Sequence, residues 1–189
     1  MRLTRESILL AIGALVIASA ASAQQRMKGS GIAVAKDVAF LSEKNLTALM
    51  ASGDSLEIEI GRLTHEKGSD QRVRELGLML ANDHTAHLEK TSGIIVHIGF
   101  EPIPDEVMAK RLREQLSWLQ ANPAGADWDA TFLRFQAQHH QNVMNVLTQN
   151  LENVHGDDLW DHLKKSLTSL AKHRDMAKSI ATTLGVSLP

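Results

Sequence analysis

Three histidines, His84, His140 and His173, fall near the midpoints of three separate predicted helices. Imidazole is the commonest side-chain metal ligand, and bundle interiors are where residues on facing helices build metal sites. A fourth helix brings Glu57 to within about one turn of the same level, roughly 5 Å along the axis. His87 stands one turn beyond His84, a spacing that puts both imidazoles on one helix face. His84, His140 and His173 are therefore candidate ligands of one divalent ion, with Glu57 and His87 as further candidates. A nitrogen-rich set favours zinc, copper or nickel over magnesium or calcium.

The same residues have a second reading. His173 lies on an apolar stripe between Leu170 and Ala177, where a buried polar ring requires a partner. A buried hydrogen-bond network supplies that partner with no ion, and a network that protonates under strain is a pH sensor. Gln136, one turn before His140, reads as its hydrogen-bond partner. His139 lies about 100° around the helix from His140 and is expected to point sideways. Asp83 is too near His84 in sequence to share its face fully. His65, His97, His155 and His162 are assigned to helix ends or exposed faces, and Met50, Met79, Met108 and Met144 to core filling. No catalytic residue is assigned. The chain has no cysteine, no serine in a nucleophile elbow, no glycine-rich phosphate loop and no zinc-protease His-Glu-x-x-His.

Four long helices must position these residues. Val38, Leu41, Leu46, Leu49, Gly53, Leu56, Ile60 and Leu63 recur at threes and fours between Asp37 and Lys67, with Asp37 as the cap and Gly68 as the stop. Ser52-Gly53-Asp54-Ser55 is a weak spot at which this helix is open to a break. Ser69 or Asp70 caps the second helix, which carries His84 and His87 and ends at Gly99 and Pro102. A connection from Phe100 to Asp127 holds a short amphipathic helix that opens at Pro104 and stops at Asn122-Pro123. The third long helix is expected from Trp128 to Val154, and the fourth from a cap at Asp157 or Asp158 to Gly185. Short links pair the first helix with the second and the third with the fourth as antiparallel hairpins. One long crossover between two hairpins is the ferritin-like connectivity of a four-helix bundle. The expected core is Leu56, Ile60, Leu80, Leu133, Leu147, Leu163 and Leu170, with negligible strand.

The first residues have a separate purpose. Arg2 and Arg5 give a positive start, Ile8 to Ala18 an apolar run, and Ala21-Ser22-Ala23 a small-x-small cleavage motif. The run is shorter than the ~20 residues a membrane helix needs, which favours a cleaved signal over an anchor. The expected organisation is a signal peptide at 1–23, a leader at 24–36, the bundle at 37–184 and a tail at 185–189, with a periplasmic or secreted destination. The mature chain, from Gln24, then carries 18 basic and 21 acidic residues, a balance with no electrostatic footprint for nucleic acid. Strong membrane association after cleavage is not expected. A protein partner or a second copy of the chain remains open.

Several stretches together resemble a known family. These are Ser52-Gly53, Glu57 to Leu63, Val73 through Asn82-Asp83-His84-Thr85, Phe132-Leu133 with Gln136 and His140, and Leu170-Ala171-Lys172-His173. They are similar to the DUF4142 family over about residues 37–184. That resemblance implies exported bacterial proteins with a ferritin-like bundle. Two positions depart from the pattern: His139 stands where the family usually has an acidic residue, and Gln141 where it usually has Glu. The ferritin-like di-iron set uses a Glu on each of two helices and Glu-x-x-His on each of the others. Here those slots read His84-x-x-His87 and Leu170-x-x-His173, so a standard di-iron oxidase is not expected.

Overall fold

Ser42 starts the first helix: its extended backbone leaves the helix path, and its hydroxyl accepts from the Asn45 amide at 3.2 Å. The structure, a computed structural model, describes residues 41–99 and 106–188. Helix α1 runs Glu43–Lys67, α2 Gln71–Ile98, α3 Glu106–Ala121, α4 Ala126–Asn150 and α5 Asp157–Thr183, with a 3-10 turn at Leu151–Asn153. No strand occurs among the described residues. The signal and leader, Asp37 and the connection around Pro102 to Asp105 lie outside them.

Four boundaries and one continuity differ from the sequence expectation: α1 starts after Ser42, where the sequence expects Asp37 as the cap, and α4 starts at Ala126, two residues before the expected Trp128. Helix α1 passes unbroken through Ser52-Gly53-Asp54-Ser55. The Ser55 hydroxyl bonds back to the Ala51 carbonyl at 2.8 Å, and Asp54, Glu57 and Ile58 are buried by packing that outweighs local propensity. Helix α4 ends at Asn150, whose side-chain amide turns back to the Val146 carbonyl at 2.9 Å, before reaching the expected Val154. At α5 the cap position is Gly156, and Asp157 and Asp158 occupy the first turn, where carboxylates favour the positive end of the helix dipole. Asp70 caps α2 as expected, and Gly99 closes it at φ 76°, a left-handed backbone that glycine adopts without strain.

Cross-links between distant segments fix the helix directions. The buried Asp129 carboxylate, near the start of α4, accepts from the Ser69 and Asp70 amides at 3.0 and 2.8 Å in the α1–α2 turn. Glu43, at the start of α1, accepts from the His155 and Gly156 amides at 2.6 and 3.2 Å before α5. Thus α4 runs antiparallel to α1, and α5 runs parallel to it. The short α3 lies against the end of α1, where Lys67 Nζ donates to the Leu119 and Gln120 carbonyls at 2.7 and 2.9 Å.

Two glycines bring α1 and α2 together. A methyl group added at Gly61 would meet the Ala81 amide nitrogen and Gly77 carbonyl at 2.7 Å, and one at Gly77 would meet Gly61 O and His65 N at 2.7 Å. The helices therefore touch backbone to backbone, which brings the α1 face carrying Asp54 and Glu57 close to α2. None of the described helices is long and apolar enough to cross a membrane.

Candidate metal centre

The core is divided. One apolar cluster holds Ile60, Leu76, Leu80, Trp128, Phe132, Leu133 and Ala181; the other holds Leu46, Leu49, Ile94, Leu147, Leu159 and Leu163. Between them, in sequence on every long helix, lie the buried polar residues Asp54 and Glu57, His84, His139 and His140, and His173, with Gln136 and Ser166 at the cluster edges. Burying such groups is unfavourable unless they are partnered, so their partners are the first question.

His84, His140 and His173 converge. Their ring centroids lie 5.7 Å (84–140), 5.3 Å (84–173) and 5.3 Å (140–173) apart, and one ligand atom from each falls within 4.8 Å of the others. The three residues are 3%, 0% and 1% exposed.

The outer partners fix the tautomers. His84 Nδ1 stands 2.7 Å from Asp54 Oδ1, His140 Nδ1 3.1 Å from the Gln136 carbonyl, and His173 Nε2 2.9 Å from Asp83 Oδ2. Carboxylates and carbonyls only accept, so each of these ring nitrogens is a donor. That leaves the second nitrogen of each ring: His84 Nε2, His140 Nε2 and His173 Nδ1. His84 Nε2 is buried with no hydrogen-bond partner among protein groups. His140 Nε2 and His173 Nδ1 face each other at 3.3 Å. In neutral rings both carry lone pairs, and two lone pairs at that distance repel unless a proton or cation lies between. Metal-ligating histidines have this outer arrangement, each giving its other N–H to a carboxylate or carbonyl. Nitrogens bound at ~2.0–2.1 Å to a tetrahedral ion stand roughly 3.3–3.4 Å apart, which matches the observed pair.

The electrostatics separate the three rings. Burial, together with the neighbouring His139, His84 and His173, holds His140 well below its ordinary pKa, so it is neutral and its lone pair is available. Burial also lowers His173, and the Asp83 hydrogen bond offsets only part of that. Burial opposes the charged form of His84 too, but the Asp54 hydrogen bond and the fields of Glu57 and Asp83 prevail and raise it. Partial burial would raise Asp83; the His173 hydrogen bond and Lys172, 3.5 Å away, outweigh it and lower it. Asp54 and Glu57 are buried beside His84, His139 and Gln136. His140 Nε2 and His173 Nδ1 turn lone pairs to each other within this layer, the complement of a cation.

A cavity of about 40 Å³, partly open to solvent, adjoins the trio. Gly53, Asp54, Glu57, His84, His87, His139 and His140 line it with Leu49, Val143, Leu147 and Leu170. It has room for a solvent molecule or a bare ion with little else.

The other sequence candidates fall nearby. Glu57 is buried at the same level and lines the cavity, but Gln136 Nε2 donates to its Oε2 at 2.7 Å and His139 Nε2 lies 3.5 Å from Oε1. It stands beside the trio and outside the set of converging ligand atoms. His87 joins a different set, with Asp54 and His84, whose atoms also lie within 4.8 Å of one another.

Five residues took parts that sequence reasoning did not give them. Asp54, read as a helix-weakening residue, is a buried partner of His84; its signal was its place one turn before Glu57. Asp83 reaches across to His173 even though it adjoins His84, because α5 packs on that side of α2. His139, expected to point sideways, is buried, stacked on Phe135 at 5.2 Å and turned to Glu57. His162, assigned to a helix end or exposed face, is 3% exposed and within 2.9 Å of the Thr91 hydroxyl. It lies about three turns before His173, a spacing that returns to the same helix face. Gln136 partners Glu57 through its side chain and His140 only through its backbone.

No curated protein and no solved structure matches this chain. A family model does: the domain of unknown function DUF4142 matches residues 20–180. With that match covering most of its length, the chain belongs to the DUF4142 family.

Proposed function

We propose that this protein is an exported binder of one divalent transition-metal ion, held by His84, His140 and His173 between the two apolar clusters. The observation that carries the reading is the facing pair His140 Nε2 and His173 Nδ1 at 3.3 Å, each ring already committed outward to an acceptor. Three imidazole nitrogens suit zinc, copper or nickel. A solvent molecule in the adjoining cavity supplies a fourth position, with Glu57 beside it. Export is supported by the charged start, the apolar run and the Ala21-Ser22-Ala23 motif. Mature protein recovered from the envelope then begins near Gln24, and an intact Met1 in the membrane fraction contradicts that part.

The competing account is a buried hydrogen-bond network in a protein that acts through interactions alone. Thermal melting with and without chelator, on tag-free wild type and His140→Ala, separates the two. An ion that binds only the folded state stabilises it by about 2.7 kcal/mol at a hundred times its Kd. Metal binding predicts that added zinc raises the wild-type Tm and leaves His140→Ala unmoved. A network predicts equal wild-type curves with and without chelator, and a variant weaker by roughly 1–3 kcal/mol under every condition.

A further inference from the structure

The trio is buried, so an ion has to reach it through the protein. Asp54, His84 and His87 form a second group of ligand atoms within 4.8 Å of one another. The two groups share one residue, His84. It turns Nδ1 to Asp54, while its Nε2 is buried with no hydrogen-bond partner among protein groups and its ring centroid lies 5.7 and 5.3 Å from those of His140 and His173. Asp54 Oδ2 is buried and has no hydrogen-bond partner among protein groups, so this carboxylate keeps an oxygen available. His87 is only partly buried, the least enclosed imidazole of the four. The cavity runs past both groups, with Gly53, Asp54 and His87 on its wall as well as His84 and His140.

We propose that Asp54, His84 and His87 are an outer cation site, occupied in passing by an ion bound for the inner trio. This inference rests on the metal reading above. The shared ring favours successive over simultaneous occupancy, because a neutral imidazole offers one lone pair and cannot ligate two ions at once. Sharing His84 makes the transfer a movement around one ring. An ion on Nδ1 displaces that ring proton, which solvent in the cavity carries to Nε2; as the ion passes to Nε2, solvent carries the proton back to Nδ1 and to its bond with Asp54. The covalent ring is unchanged, and ion and proton exchange edges.

A passing site changes rates and leaves end states alone, so it must slow uptake and release by the same factor. Two variants test this by different means. His87→Ala removes an outer ligand, whereas Gly53→Ile narrows the passage and leaves every ligand residue in place. Nothing lies within 4 Å of a Cβ at Gly53, so the added group enters open space. Uptake of cobalt(II) is followed by stopped-flow absorbance and release by competition with a chelator, with the fold checked by circular dichroism. Gly53→Ile is expected to bind one ion with the wild-type Kd, while in both variants uptake and release each slow about tenfold or more. Wild-type uptake rates in both variants overturn the proposal, as does a second bound ion in the wild type. A loss of final affinity in His87→Ala also overturns it, since His87 would then belong to the final site. If the wild type takes up no cobalt, zinc, copper or nickel at all, the reading beneath the proposal fails with it.

Discussion

At Gly61 and Gly77 two helices touch backbone to backbone; a turn or two away the same helices hold carboxylates against imidazoles around a cavity of about 40 Å³. The first region gives up side chains to gain contact. In the second, Asp54 Oδ2, Glu57 Oε1, His84 Nε2 and Ser166 Oγ are buried without hydrogen-bond partners, and a void persists beside them. Close packing is therefore within this sequence's reach, and the polar layer departs from it where four helices bring their titratable groups together. A region that forgoes packing and leaves polar atoms unpartnered in an otherwise well-packed bundle is organised for something other than stability.

The largest effect on stability belongs to the crossing. Gly77→Ala forces a methyl group against backbone atoms at 2.7 Å that no rotamer change can move. Overpacking of this kind costs about 1–3 kcal/mol, read as a Tm lower by several degrees. An unchanged Tm would show that the helices separate freely and that the contrast with the histidine layer is overstated.

In the polar layer, Gln136→Leu leaves Glu57 Oε2 without its 2.7 Å donor. The expected loss is about 1–3 kcal/mol, the desolvation penalty of a buried acceptor left unmade. Glu57→Gln in the same background is expected to recover most of it in denaturant titration, because the neutral amide tolerates burial better. Failure of that recovery would mean that the charge of Glu57 matters less than its shape.

The edge of the layer gives a pH signature. Burial lowers His162 from 6.5 to about 4, with His87 adding to the shift. Between those values the unfolded chain binds a proton that the folded chain refuses. Stability contributed by His162 therefore rises with pH from about 4 to 6.5 and is flat above. His162→Gln should flatten that limb of a melting series in the presence of chelator. A wild-type slope retained in the variant would assign the pH dependence elsewhere.

The smallest effect has the opposite sign. Gly53 lies within α1 with φ in the ordinary range and open space where a Cβ would stand. Gly53→Ala is expected to stabilise the protein by roughly 0.5–1 kcal/mol through helix propensity and the entropy of the unfolded chain. Together, Gly77→Ala and Gly53→Ala use one chemical change to report a full crossing and an open passage.

Much of this architecture was legible before the structure. The period of Leu80, Leu133, Leu147, Leu163 and Leu170 fixed inward faces, and Gly68, Gly99 and Asn122-Pro123 marked where α1, α2 and α3 stop, while α4 ended short of its glycine. The convergence of His84, His140 and His173 followed from their positions near helix midpoints. What periodicity could not convey was which residues flank the inward stripe closely enough to be buried. Asp54 looked like a helix weakener, and only packing against α2 reveals it as a partner of His84. His139 and His162 each lie next in sequence to an inward residue, and helix rotation within a crowded layer buried them too. The glycine crossing was equally silent, because Gly61 and Gly77 carry no side chain for a hydropathy pattern to register.

The central claim is that three imidazole nitrogens and a divalent ion complete this layer. X-ray absorption spectroscopy at the zinc edge, on tag-free protein loaded with one equivalent, reads the ligands directly. The account predicts three imidazoles at ~2.0–2.1 Å with one further light atom, and the loss of one imidazole in His140→Ala. A shell of oxygen alone, or a wild-type spectrum unchanged by His140→Ala, would contradict it.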